Sequence, residues 1–385
     1  MLDLKETVSK KFYQLFGKDC SIYSSPAKVN IIGEHTDYNQ GLVLPFTIDK
    51  SMILAIQPIN KNSITIHSLN YNETIQLSLD SDINKLPLWG KYIYGLIQEI
   101  YNKTHLNFGF NAVVGSDIPI QAGLSSSAAL ETVVAFAIND IFQLELSSVQ
   151  LARIGQLAEN NHIGIRSGLM DQFSCLIGKK DYFFSLDCKN MSYEYHPLDL
   201  DEYTFAVINP NYKDPKASIR YNKRKKQCED AVFYIQKTFP EVSSLREVKI
   251  EYLQELQDYM DNTLFQRTKF ILEENQRVEK ATKAIVNKDF QKLGHLLNDS
   301  HLGIENLFNA STTLVDNIFE INTNISYVLG SRIIGGGFGG CILSLLKNKD
   351  LEEYKKKILK EFYSVSNNKL EIAKIASSGC TSKLT

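Results

Sequence analysis

The run Gly123-Leu124-Ser125-Ser126-Ser127-Ala128-Ala129 sets three successive hydroxyl side chains behind a glycine, between an extended Pro-containing segment and a long apolar stretch. A helix starting there presents backbone N–H groups with no intrahelical partner, and its partial positive charge binds anions, phosphate above all. Hydroxyls at the same end can ligate a hard cation that travels with phosphate, such as Mg²⁺. The G-x-x-x-x-G-K-[ST] spacing is missing, which excludes a Walker-type loop. G-x-S-x-G is missing too, which argues against a serine hydrolase. A plain Ser-capped buried helix is the competing account.

A second cluster, Glu34-His35-Thr36-Asp37-Tyr38, follows the strand-like Lys28-Val29-Asn30-Ile31-Ile32-Gly33. Two carboxylates, an imidazole, a hydroxyl and a phenol on one strand-exit loop suit a neutral polyol such as a sugar. Each buried hydroxyl of such a ligand needs both a donor and an acceptor. The alternative is a turn in which Thr36 and Asp37 serve only backbone hydrogen bonds, and for the pentapeptide alone that account has the edge. Asp171, in Gly168-Leu169-Met170-Asp171-Gln172-Phe173, is placed to act as a general base or to compensate a helix dipole. Glu159 can reach a divalent ion or remain a solvated helix charge. Gly335-Gly336-Gly337-Phe338-Gly339-Gly340 satisfies G-x-G-x-x-G, but a strand-like Cys341-to-Leu346 segment follows where a dinucleotide fold requires a helix. A glycine turn of close backbone approach between two strands fits better. The basic run Lys223-Arg224-Lys225-Lys226 has no interleaved aromatics and reads as a solvated helix face rather than a nucleic-acid site.

Strand and helix periodicities alternate in the first half: strands near 51–58, 63–69, 74–79 and 111–114, helices over 88–101, 126–142 and 151–160. After about Tyr203 long charge-rich helices dominate, at 223–237, 250–259, 268–287 and 290–300. Two strands flank the glycine cluster and a last helix runs over 350–363. With 385 residues two lobes are expected, 1–200 and 201–385. Lys+Arg 42 against Asp+Glu 44 gives net charge −2, with no pull toward nucleic acid or an anionic membrane. Six scattered cysteines without a C-x-x-C pair, and charge within Met1 to Glu6, point to a reducing cytoplasm. No window supplies the ~18 apolar residues of a membrane span.

Together these segments resemble the galactokinases of the GHMP kinase superfamily, from about Ser24 to Leu346. The resemblance rests on Val29 to Asn39, Pro119 to Ala129, Met170 to Phe173, the glycine cluster, Tyr221 to Arg224 and Glu273 to Arg277. The serine loop and glycine cluster match the superfamily; the Glu-His-Thr-Asp-Tyr loop matches galactokinases specifically. The resemblance implies a two-lobed α+β fold, with a ribosomal-protein S5-like N-terminal lobe, a ferredoxin-like C-terminal lobe and the active site between them. It implies ATP-dependent phosphorylation of galactose at the anomeric hydroxyl, with related sugar kinases (L-arabinose or an amino sugar) and a non-catalytic sugar/ATP sensor as alternatives. Asp171 and Lys28 would be catalytic; Glu34, His35, Thr36, Asp37, Gly168 and Tyr221 would hold the sugar. Gln121, Ala122, Gly123, Leu124, Ser125, Ser126 and Ser127 would wrap the ATP phosphates, with Ser68 and Trp89 near the nucleotide. Ser127 and Glu159 would hold Mg²⁺. A monomer with no nucleic-acid or membrane partner is expected. Against the family pattern, Lys28 stands for a usual Arg, Ala27 for Gly, Ser167 for Cys and Phe270 for His. Leu302 to Ser311 departs from an acidic, Tyr-containing stretch, which implies altered packing or lobe contacts.

Overall fold

The computed structural model describes residues 2–17, 19–119, 123–212 and 214–384. The first part of the chain is built around the strands β1 (Ser21–Asn30), β3 (Pro45–Pro58), β4 (Ile64–Ser68), β5 (Glu73–Leu77) and β6 (Phe110–Ser116) of one sheet, with the short β2 (Leu42–Val43) in another. Its helices are α1 (Leu2–Phe16), α2 (Leu88–Thr104), α3 (Ser126–Ile141), α4 (Ser148–Ala158) and α5 (Met170–Ile177), followed by the strands β7 (Tyr182–Asp187) and β8 (Ser192–Pro197). The second part runs β9 (Tyr203–Asn209), α6 (Ala217–Ile235), α7 (Ile250–Glu255), α8 (Asn262–Val286), α9 (Phe290–Gly303), α10 (Thr313–Thr323), β10 (Val328–Ile333), β11 (Ile342–Lys347), α11 (Leu351–Val365), β12 (Glu371–Lys374) and β13 (Ser382–Leu384).

Three sheets result: β13-β1-β3-β6-β4-β5, β10-β11-β9-β12 and β2-β7-β8. Both faces of the six-stranded sheet are covered. Ile53, Ala55 and Val113 meet Val8 and Phe12 of α1, while Leu54, Ile56, Ala112 and Val114 join the main core with α2, α3 and α4. Strand segments covered on both sides have no polar face, which explains the apolar runs Met52 to Ile56 in β3 and Ala112 to Val114 in β6. The four-stranded antiparallel sheet carries α6, α8, α10 and α11 around a second core.

The expected helices and strands occur, with differences that have local causes. Asp261 caps α8 by accepting from the N–H groups of Thr263 and Leu264, so that helix begins six residues before the apolar spacing shows it. Helix α7 ends at Glu255 rather than near 259. Helices α1 and α10 and strands β12 and β13 escaped the periodicity argument. β13 lies against β1 through the pairs Ile22–Leu384 and Ser24–Ser382, held by backbone pairing that leaves little trace in a three-residue strand. One reading is corrected: Arg224 is not on a solvated face but buried, its Nε and Nη2 donating to the carbonyls of Phe308 at 2.7 Å and Asn309 at 2.6 Å.

Candidate active site

Strand β1 shifts register against β3 between Pro26 and Ala27. Such a bulge bends a strand and re-aims the side chains beyond it. Lys28, just past it, is 2% exposed and sets its Nζ 2.7 Å from Asp171 Oδ1. Burial alone would lower the Lys28 ammonium, but Asp171, Glu34 and Asp37 outweigh it and hold it above its ordinary value. Asp171 stands in the first turn of α5 and accepts from Ser125 Oγ at 2.8 Å. Ser125 has the left-handed φ of 59° as it enters α3. The serine loop and the glycine cluster approach closely: a Cβ on Gly123 would lie 2.8 Å from the Ile334 carbonyl oxygen. The cluster is thus a glycine turn between β10 and β11 that the serine-loop backbone approaches closely.

The loop after β1 is clamped from the second half of the chain. Gly33 N–H donates to Glu274 Oε1 at 2.9 Å and Leu42 N–H to Asn275 Oδ1 at 2.8 Å, both acceptors on α8. Glu34 Oε1 accepts from Gly335 N–H at 3.1 Å and lies 3.4 Å from Arg332 Nη2. Burial raises the Glu34 carboxyl, with Arg332 and Lys28 pulling it back. His35 has φ 64°, an uncommon conformation that concentrates at functional sites. Its Nδ1 meets Tyr38 Oη at 2.9 Å, while its buried Nε2 has no hydrogen-bonding partner. Burial, with Arg224 and Arg332, lowers the His35 imidazole to about 3, so it is neutral. Rings of Tyr221 and Phe308 lie 5.6 Å and 4.5 Å from it, centroid to centroid. Phe308 also packs on Phe270 at 4.8 Å, so two departures from the family pattern meet behind the loop. Thr36 differs from the sugar-gripping expectation. Its buried hydroxyl lies 2.8 Å from the Gly33 carbonyl oxygen and 2.6 Å from that of Leu42, serving the turn instead of lining the cavity.

Asp37 is packed against Gly168, where an added Cβ would sit 1.8 Å from Asp37 Oδ2. Burial, and then the charge of Asp171, push its carboxyl up to about 6. Gly168→Ala must therefore displace Asp37. It is expected to weaken binding of the ligand that Asp37 contacts by about tenfold to a hundredfold in titrations of the full chain. Unchanged affinity would remove Asp37 from the binding site.

Ser127 Oγ donates to Glu159 Oε1 at 3.2 Å, and Ser167 Oγ donates to Glu159 Oε2. Glu159 opens a wide turn after α4 in which Gly164 N–H reaches back to its carbonyl at 2.9 Å; such π-type turns recur at functional sites. Burial and Asp171 push Glu159 up to about 7 against the pull of the two serines. Behind it the buried Glu131 accepts from Gln172 at 2.9 Å. An oxygen-only donor pair on a buried carboxylate short of positive charge fits a hard divalent ion. His301, Glu305 and Asp316 also converge. There, however, His301 Nδ1 accepts from Ile333 N–H at 3.2 Å, which leaves the ring proton on the Nε2 that faces Asp316. That tautomer opposes ligation.

Lys28, Glu34, His35, Asp37, Gly123, Ser125, Ser126, Ser127, Glu159, Gly168, Asp171 and Tyr221 line one cavity of 200 Å³. An adjoining cavity of 680 Å³ shares Ser126 and Ser127 and is lined by Ser68, Tyr71 and Trp89. The Tyr71 and Trp89 rings are nearly parallel, 6° apart, and Trp89 Nε1 donates to Glu73 at 3.0 Å. The Leu124 side chain lies in the core instead. Gln121 and Ala122 lie outside the described residues. Sequence reasoning missed Tyr92 and Ser218, which line both cavities, and Arg332. None stands in a dense polar motif that would draw attention.

Family models agree with this geometry. The GHMP kinases N terminal domain matches residues 91–179 and the GHMP kinases C terminal domain matches 281–365. The fold is that of a GHMP kinase. Mevalonate kinase shares that fold, with TM-score 0.62 at 20% identity over 92% of this chain and 98% of that one. The galactokinase galactose-binding signature matches residues 10–58. Galactokinase of Thermotoga neapolitana is 38% identical over 87% of this chain and 91% of its own length; that of Clostridium tetani is 33% identical over 93% and 92%. The crystal structure of Lactococcus lactis galactokinase complexed with galactose superposes with TM-score 0.92 at 30% identity, covering 98% of each chain. The chain belongs to the galactokinase family. Among the described residues no helix is long and apolar enough to cross a membrane.

Proposed function

We propose that this chain transfers the γ-phosphoryl group of ATP to the anomeric hydroxyl of galactose. The observation that carries the reading is one cavity in which the Lys28–Asp171 pair faces both the serine helix end and the carboxylates of the 34–37 loop. Glu34, Asp37 and His35 Nε2 supply acceptors and a donor-or-acceptor position for sugar hydroxyls, with Tyr221 closing the pocket. The free N–H groups at the start of α3, with Ser126 and Ser127, face the phosphates. Ser68, Tyr71 and Trp89 wall the adjoining nucleotide space. Asp171 takes the anomeric proton as that oxygen bonds to the γ-phosphorus. The bond from the γ-phosphorus to the bridging oxygen breaks, and ADP leaves with the electron pair. Lys28 pairs with Asp171 at 2.7 Å and balances charge beside the attacking oxygen. Phosphoryl transfer asks chiefly for such alignment and neutralisation. Ser127 and Glu159 would hold Mg²⁺, which when bound neutralises negative charge on the phosphoryl oxygens. This reading keeps a lobe boundary near residue 200, with β13 crossing back to the first sheet.

A coupled ADP-release assay on D-galactose, L-arabinose, D-glucose and N-acetylgalactosamine tests the substrate. Galactose is expected to turn over fastest. A preference for another of these sugars would reassign the pocket, and absent turnover with galactose and ATP both bound would favour the sensor.

Acidity supplies a second test. Sugar hydroxyls donate best to an ionised carboxylate, and Asp37 takes up its proton near pH 6. Protonation therefore opposes binding, and galactose affinity measured by calorimetry is expected to fall as the pH drops through about 6. In Asp37→Asn that inflection should vanish. An identical inflection in the variant would assign it to another group.

A further inference from the structure

Arg332 is the penultimate residue of β10, just before the glycine cluster, and its side chain is fully buried. It reaches across to the other half of the chain. Nη1 donates to the carbonyl oxygens of Asn30 and Ile31, each at 3.1 Å, where β1 runs into the 33–38 loop. Nη2 stands 3.4 Å from Glu34 Oε1, while Nε and Nη2 have no hydrogen-bonding partner. A buried guanidinium needs a counter-charge. Glu34 is the carboxylate within ion-pair distance of it, and Glu274 is a further negative charge nearby. Glu274, though, is already occupied by Arg277 Nε at 2.7 Å, Ser300 Oγ at 2.7 Å and Gly33 N–H at 2.9 Å. Glu34 is less occupied: among the described residues it accepts one hydrogen bond, from Gly335 N–H at 3.1 Å, with the Lys28 charge acting on it as well. The same Oε1 atom takes both Gly335 and Arg332, which leaves Oε2 for a ligand in the cavity that Glu34 lines.

We infer that Arg332 is the positioning residue for Glu34: by fixing Oε1 and the β1 exit from the four-stranded sheet, it aims Oε2 at the sugar and so sets galactose affinity. This rests on the galactose reading of the pocket. A positioning residue acts through its client, so its effect must disappear when the client cannot respond.

The test is a double-mutant cycle on galactose binding, measured by calorimetry with Arg332→Met, Glu34→Gln and the double variant. With Glu34 present, Arg332→Met is expected to weaken galactose binding about tenfold to a hundredfold, with the ATP KM unchanged. In the Glu34→Gln background the same change should shift the affinity by less than about threefold. Equal weakening in both backgrounds, or none in either, overturns the inference. Should Arg332→Met not fold, Arg332→Lys runs the same cycle, since an ammonium keeps the charge without the fork that spans two carbonyls and a carboxylate. Failure of the wild type to bind galactose would instead overturn the substrate reading, and is separately visible.

Discussion

Asp171→Ala is expected to lower kcat by about 10²–10⁴-fold, the contribution of a positioned general base, while galactose affinity stays within a few-fold of wild type. The reason for the split is geometric. In the proposed mechanism Asp171 takes the proton of the reacting oxygen, whereas Glu34, His35 and Asp37, which line the same cavity, hold the remaining hydroxyls. The variant should also lose thermal stability, because Lys28 is 2% exposed and its partner is gone. The loss should fall short of the about 3–5 kcal/mol of a fully orphaned buried charge, since Glu34 and Asp37 still act on the ammonium. Rapid-quench kinetics, calorimetry and a thermal melt separate the three quantities. Wild-type turnover in Asp171→Ala would remove the carboxylate from the chemistry.

Lys28→Met carries the second large effect, with the opposite balance between stability and rate. Asp171 is 39% exposed, so its carboxylate can be solvated once the ammonium is removed, and the protein is expected to melt close to wild type. Turnover should nevertheless fall by about 10²–10³-fold, as for loss of one preorganised charge at a reacting centre. The pH profile supplies an independent signature. Lys28 lowers the carboxyls of Glu34 and Asp37, so without it both hold their protons to higher pH. The acid limb of kcat/KM should move upward. Lys28→Arg restores the charge and should keep turnover within about tenfold, the larger planar head being fitted beside Met170 Sδ, 4.0 Å from the present ammonium. An unshifted acid limb in Lys28→Met would reduce Lys28 to a structural counter-ion.

Much of the site was legible because its chemistry is written in contiguous residues. Ser125 to Ser127 on a helix start, Glu34 to Asp37 on a strand exit and Asp171 in a first helical turn each announce themselves over a handful of positions. Thr36 shows the limit of that reading. Residue type nominated it for the sugar, but a hydroxyl within reach of two loop carbonyls is spent on the turn. Arg224 shows the converse: a run of four basic residues looked like solvated charge, yet one of them turns inward to the carbonyls that end the 304–308 turn. The contacts of Arg332 and Glu274 were illegible for a stronger reason, although Glu274 falls in a segment that carries the family resemblance. The two residues touch the 30–34 segment from 302 and 241 residues away along the chain. Nothing in Ser331-Arg332-Ile333 or Glu274-Asn275 states which distant turn they hold. The resemblance to galactokinases supplied what spacing could not, namely which motifs share a cavity.

The most direct measurement is phosphorus NMR of the full chain incubated with galactose and Mg-ATP. The account predicts loss of the γ-phosphoryl signal, appearance of ADP, and a new phosphomonoester coupled to the anomeric proton of galactose. A phosphoester on any other hydroxyl, or phosphate released into water with galactose unchanged, would contradict it.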